Sequence, residues 1–345
     1  MRPPAPRGPL SARLLTLLAE PLRAADGLAD LARQSVRVPL VRADEDVQLS
    51  LLVCQELDYD GIDGADERWE CAAGLLAARR VLEDAFEAEL RTETSMLVGE
   101  VQDTARHDVA AAIFALTESV PGPPLARHLH RHATRRQLAE FLMLRSVYHL
   151  KEADPHTWLV PRLRGAPKAA LLAVQIDEYG SGRLERMHAE LFADTMRLAG
   201  LDPTYGAYVD KVPAATLAVT TAMSMFGRQR RLRGATAGHL AAFEATSSLP
   251  NRRYGQAVRR LGLGDAAAAY FDEHVEADAV HEQVATRELC APLVGAEPDL
   301  LADVLFGAAV CLLLDAQAAE AMLGAWRLGR SSLLPAWATP VREAG

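Results

Sequence analysis

From Leu10 onward, apolar residues recur at intervals of three and four, and no stretch alternates apolar with polar as a half-buried strand would. That spacing is the period of an amphipathic helix, so the chain is expected to be all-α. Glycine and proline punctuate it. The acidic 58–66 loop with Gly61 and Gly64 makes a first break, and Pro121-Gly122-Pro123-Pro124 makes the strongest, where neither helix nor strand interior is comfortable. We expect that break to separate an N-terminal helical region over 1–120 from a second domain over 134–335.

Past the break, Thr134 and Gln137 form a capping box, and the helix they open is expected to pass Phe141, Tyr148 and Glu152 and stop at Asp154-Pro155. Pro167 opens a helix through Glu178 to Gly180 and Gly182, and another is expected over 183–199 before Gly200. Apolar helices follow over 214–226 and 236–246. Asp265 is expected to cap a long helix, and Pro298 to begin the last pair.

With 345 residues, half of them apolar, the chain can bury a full core as one large domain or two. A net charge of -9 leaves no basic field for nucleic acid, and the alternating His128, His130 and His132 among arginines read as a solvated basic surface. The longest uncharged apolar run, Val304 to Leu314, falls well short of the roughly 20 residues that cross a bilayer, so we expect a core helix and no membrane partner. Cys54, Cys71, Cys290 and Cys311 form no CxxC pair and read as reduced thiols of a cytoplasmic protein. Asp58, Asp60 and Asp63 fail the calcium-loop order, because Ile62 holds a ligand position. Nucleotide loops, GxSxG elbows and HExxH helices do not occur.

The chemistry concentrates in the helix after Asp265. His274, Asp278 and His281 stand at i, i+4 and i+7, at roughly 0°, 40° and 340° around a helix, and so share one stripe. Two imidazoles and a carboxylate suit a first-row transition metal, iron included. A carboxylate-bridged two-metal site needs about six donors from several helices. Glu178 and His188 supply two, but on a straight helix they would lie roughly 80° apart and need a kink at Gly180-Ser181-Gly182 to converge. Glu152 is the natural sixth. Its rivals are Glu140 and Glu185, the latter in a Glu-x-x-His with His188, while Glu190, Glu244 and Glu273 read as surface carboxylates.

Glu178-Tyr179-Gly180, His188, the downstream His-x-x-x-Asp-x-x-His, and Lys151-Glu152-Ala153-Asp154-Pro155-His156 together resemble the haem-oxygenase-like diiron oxidases, also described as iron-containing redox enzymes. The likeness covers roughly 134–334. It implies a haem-oxygenase-like helical bundle in which Glu152, Glu178, His188, His274, Asp278 and His281 hold two iron ions. It also implies oxygen-dependent oxidation of a small molecule: N-oxygenation, desaturation, carbon–carbon cleavage or oxidative decarboxylation. We expect an amine or amino-acid-like substrate in bacterial specialised metabolism, because Arg145, Arg228, Arg230 and Arg231 near core helices could grip a carboxylate. O2 and the small molecule are then the partners, an external electron donor is compatible, and so is a homodimer. No lone histidine marks a haem pocket. The competing class is a non-catalytic helical binding or scaffold protein whose metal site is structural or vestigial.

Overall fold

The computed structural model describes residues 1–22, 25–120 and 122–335, with the side chains of Glu276, Asp278 and Ala279 outside that description. Every regular element among the described residues is helical. The N-terminal part carries α1 (Pro9–Leu18), α2 (Leu28–Ser35), α3 (Glu45–Glu56), the long α4 (Ala73–Ala105) and α5 (Val109–Ser119). Next come α6 (Leu125–Arg131), α7 (Arg135–His149), α8 (Asp154–Thr157), α9 (Gly165–Glu178), α10 (His188–Leu198) and α11 (Ala214–Arg228). The last are α12 (Arg233–Arg260), α13 (Ala269–Gln283), α14 (Ala291–Ala296) and α15 (Leu301–Arg327).

Two long helices, α12 and α15, form the spine, and small residues set how close they come. A Cβ on Gly238 would lie 1.8 Å from the carbonyl oxygen of Val304, and one on Gly307 would lie 1.9 Å from that of Ala235. The two backbones therefore touch through reciprocal glycines. Helix α13 packs on α12, α4 packs on α15, and α3 packs on α11. One apolar core runs from Leu10 and Leu14 of α1 through Phe86 of α4 and Phe141 of α7 to Phe306 and Trp326 of α15. Burial of those side chains, each worth about 1.5–3 kcal/mol, is what orders the long helices.

Most expected helices form, and several boundaries differ: in place of a helix over 183–199, a 3-10 turn over Leu184–Arg186 precedes α10, and Pro298 opens a 3-10 turn before one helix, α15, rather than a pair. Thr134 and Gln137 do cap α7 reciprocally, with the Gln137 amide donating to Thr134 Oγ1 at 3.2 Å and the Thr134 amide to Gln137 Oε1 at 2.9 Å. The helix then ends at His149 and does not reach Glu152. The chain turns through Ala153, a left-handed residue with φ 74°, and restarts as the short helix α8, which carries Pro155 in its first turn where a missing amide costs nothing. Glu152 thus sits on a turn. Helix α12 extends well beyond the expected 236–246 in both directions and carries Pro250 inside, because its packing on α13, α15 and α6 outweighs one missing amide. Asp265 leads a short 3-10 turn into α13 without capping it; its carboxylate instead accepts from Arg259 Nε at 2.6 Å.

Candidate metal centre

Helix α9 delivers Glu178 at its last residue, and α10 begins on His188. Between them Gly180, Ser181 and Gly182 all take positive φ, at 60°, 54° and 77°. A Cβ on Gly180 would stand 2.5 Å from the carbonyl carbon of Arg186, so only glycine admits the chain here. The turn replaces the angular offset of a straight helix with contact. Glu178 Oε2 lies 2.9 Å from His188 Nδ1.

Helix α13 brings His274 and His281 to the same place, both buried. His274 Nδ1 is 2.7 Å from the Tyr270 carbonyl, which assigns the proton to Nδ1 and turns Nε2 toward Glu152 Oε1 at 3.7 Å. The Tyr270 hydroxyl reaches both Glu152 oxygens, at 3.0 and 2.8 Å. His281 Nδ1 lies 3.8 Å from Glu178 Oε1 and 3.5 Å from Glu244 Oε2. Its Nε2 meets Asp177 Oδ2 at 3.1 Å, the outer partner that fixes an imidazole for metal binding.

Two groups of donor atoms result. Glu152, Glu178, His188 and His274 form one, and Glu178, Glu244 and His281 the other, each with its donor atoms within 4.8 Å of one another. Glu178 belongs to both: one oxygen faces His188 and the other faces His281. An internal cavity of about 10 Å³ lies among Tyr148, Glu152, Gln175, Glu178, Glu244 and His274.

The electrostatics mark a site short of positive charge. Burial, reinforced by the charge of Glu178, raises the Glu244 carboxyl even against the pull of His281. Burial works against a charge on His281, but Glu244, Asp177 and Glu178 outweigh it and bring that group to about 9. His188 is raised likewise by Glu178 against its own burial. Three buried carboxylates facing three imidazoles, which bind metal as neutral donors, form a donor set that divalent cations satisfy and a dry core does not. The residues present therefore fit a metal.

Of the six donors expected from sequence, the structure brings Glu152, Glu178, His188, His274 and His281 together. Asp278 lies on the same helix, and its side chain is outside the described residues. Glu244, read from sequence as a surface carboxylate, is 4% exposed and joins the second group. A signal for it existed: it is the only Asp, Glu, Lys or Arg in the stretch from Gly234 to Asn251. The rivals stand elsewhere. Glu140 accepts from Trp326 Nε1 at 2.8 Å and from Ser331 and Ser332. Glu185 is exposed, Glu190 faces Arg197 at 3.7 Å, and Glu273 faces Arg186 at 3.6 Å.

The arginines suggested as a carboxylate clamp are mostly engaged in the fold. Arg145 donates to Asp315 at 2.9 Å, Arg228 pairs with Asp58, Arg231 pairs with Glu87, and Arg230 is exposed. Met225 and Phe226 are core residues.

An all-α bundle enclosing a buried histidine–carboxylate cluster is a candidate metal-binding fold, and the comparison with known families points the same way. A profile of the iron-containing redox enzymes matches residues 139–316, just over half of the chain and a span that includes every donor named above. The chain belongs to that family, with its haem-oxygenase-like all-α fold and an added N-terminal helical region. Among characterised proteins it is similar to a nitrosourea synthase of Streptomyces achromogenes subsp. streptozoticus, 28% identical over 152 residues. That alignment covers 44% of this chain and 32% of the relative, so the chain matches about a third of that protein's length. No described helix is long and apolar enough to cross a membrane.

Proposed function

We propose that the chain is an O2-dependent non-haem diiron oxidase acting on a small amine or amino-acid-like molecule in specialised metabolism. Glu152, Glu178, His188 and His274 would hold one iron, and Glu178, Glu244 and His281 the other, with Asp278 expected from sequence beside them. The observation that carries this reading is Glu178, whose two oxygens face two different buried donor groups. Similarity to a nitrosourea synthase supports an oxidase of specialised metabolism, though over a third of that relative only. The same reading takes residues 134–335 as the iron domain and 1–120 as the appended helical region, and the family match over 139–316 supports it.

When bound, two ferrous ions would supply the electrons that O2 must receive. The chain's own residues supply the setting. Tyr270 holds Glu152 by donating to both its oxygens, the Tyr270 carbonyl holds His274 in one tautomer, and Asp177 orients His281. Tyr148 and Phe243 line the small cavity beside the donors. These contacts preorganise donors whose desolvation has already been met in folding.

Anaerobic reconstitution with ferrous iron tests the proposal. About two irons per chain, and a transient visible absorption band on exposure to oxygen, are expected. No iron uptake would instead favour a scaffold role.

A further inference from the structure

A second space lies on the outer side of α9. It is a groove of about 750 Å³, walled by Trp158, Val160, Pro161, Leu172 and Ile176. Ile176 is 55% exposed, an unusual setting for an isoleucine one turn from a buried site. The volume is in the range of small-molecule sites. Among its lining residues the only ionisable group of Asp, Glu, Lys or Arg type is Asp154.

Asp154 is anchored in one direction and open in the other. Its Oδ1 accepts from the Tyr179 hydroxyl at 2.7 Å, Tyr179 Oη lies 2.9 Å from Thr157 Oγ1, and Thr157 donates to Gln175 Oε1 at 2.7 Å. The nearby cation Lys151 is taken by Glu56, and no described lysine or arginine forms an ion pair with Asp154. Gln175, where this chain of polar contacts ends, is buried and lines both the groove and the small cavity among the metal donors. Its Nε2 has no partner, and turning the amide over would leave Oε1 in that position instead. A buried amide with one end unsatisfied is costly unless something completes it.

We propose that this groove binds an amine with an extended apolar body, its ammonium on Asp154 and its body along Leu172 and Ile176, and that Gln175 is the gate between that head group and the metal donors. The inference rests on reading the donor groups as the reaction centre. The apolar walls give affinity through burial, and the single carboxylate gives sign selectivity.

The test uses the whole protein in its metal-free form, with n-hexyl-, n-octyl- and n-decylammonium as probes and n-octanoate as the control, followed by calorimetry. Affinity for the amines should rise roughly four-fold per added CH2, and octanoate should bind at least roughly ten-fold more weakly than octylammonium. Asp154→Asn should weaken octylammonium roughly ten-fold. Ile176→Ser, at an exposed position that does not threaten folding, should remove apolar contact along the body and weaken the decyl probe most. Octanoate binding as tightly as octylammonium, no amine binding, or both variants within two-fold of the parent would overturn the proposal. Iron uptake by the same preparation is read separately: uptake without amine binding defeats the groove and leaves the diiron reading intact, and amine binding without uptake does the reverse.

Discussion

The ammonium of Lys151 lies on the carboxylate of Glu56, and both are buried although 95 residues separate them. Tyr205 donates to the same Glu56 oxygen at 2.8 Å, and the Lys151 ammonium lies 4.4 Å from the centre of the Tyr59 ring. Lys151 immediately precedes Glu152, so this pair ties α3 of the N-terminal region to the turn that presents a metal donor. Removing one partner strands the other charge in the core, at a cost of about 3–5 kcal/mol. Glu56→Ala should therefore lower unfolding stability by about that much and weaken iron uptake, while the double variant Glu56→Leu with Lys151→Met should regain much of the stability. Urea denaturation with metal analysis of each variant checks this; a single variant as stable as the parent contradicts it.

Glu244 and Glu140 are equally buried and differ in what they face. Glu244 faces His281, whereas Glu140 is saturated by Trp326, Ser331 and Ser332. Glu244→Ala should cut bound iron from about two per chain toward one, with the fold retained. Glu140→Ala should leave metal content unchanged and cost about 1–3 kcal/mol of stability, since it orphans the buried Trp326 indole N–H. Metal analysis beside thermal melting separates the two, and unchanged iron in Glu244→Ala would remove that residue from the ligand set.

His281 gives the metal-free protein a pH dependence. Its folded-state value of about 9 lies above that of an unfolded histidine, near ~6.5. Its charge therefore stabilises the fold fully below about pH 6.5, and that contribution is lost as pH rises through about 9. A metal must displace the same proton, so ferrous iron should bind more tightly as pH rises across this interval. Melting curves and iron affinities measured over that range should show opposite trends, and His281→Ala should flatten the first and abolish tight binding. A parent protein whose iron affinity ignores pH would contradict the assignment.

Gly307 on α15 leaves no room for a side chain against Ala235. Gly307→Ala should push the two spine helices apart and cost about 1–3 kcal/mol or more, despite alanine's better helix propensity. Denaturant unfolding measures it, and a stabilised variant would mean the spine can yield.

The helical class, the capping box at Thr134 and the shared stripe of His274 and His281 were all legible in the sequence, because each is a local property set by the helix period or by side chains three residues apart. The need for a bend between Glu178 and His188 was legible too, as an angular mismatch beside two glycines. Tertiary structure decided the rest. It placed Glu152 on a turn rather than in a helix, drew Glu244 inward, and matched Arg145 to Asp315 and Lys151 to Glu56. Those outcomes depend on which helix faces cross and how closely, and here the reciprocal contact of Gly238 and Gly307 sets that approach. Burial energy is non-directional and summed over the whole core, so a carboxylate's partner a hundred residues away has no local signature.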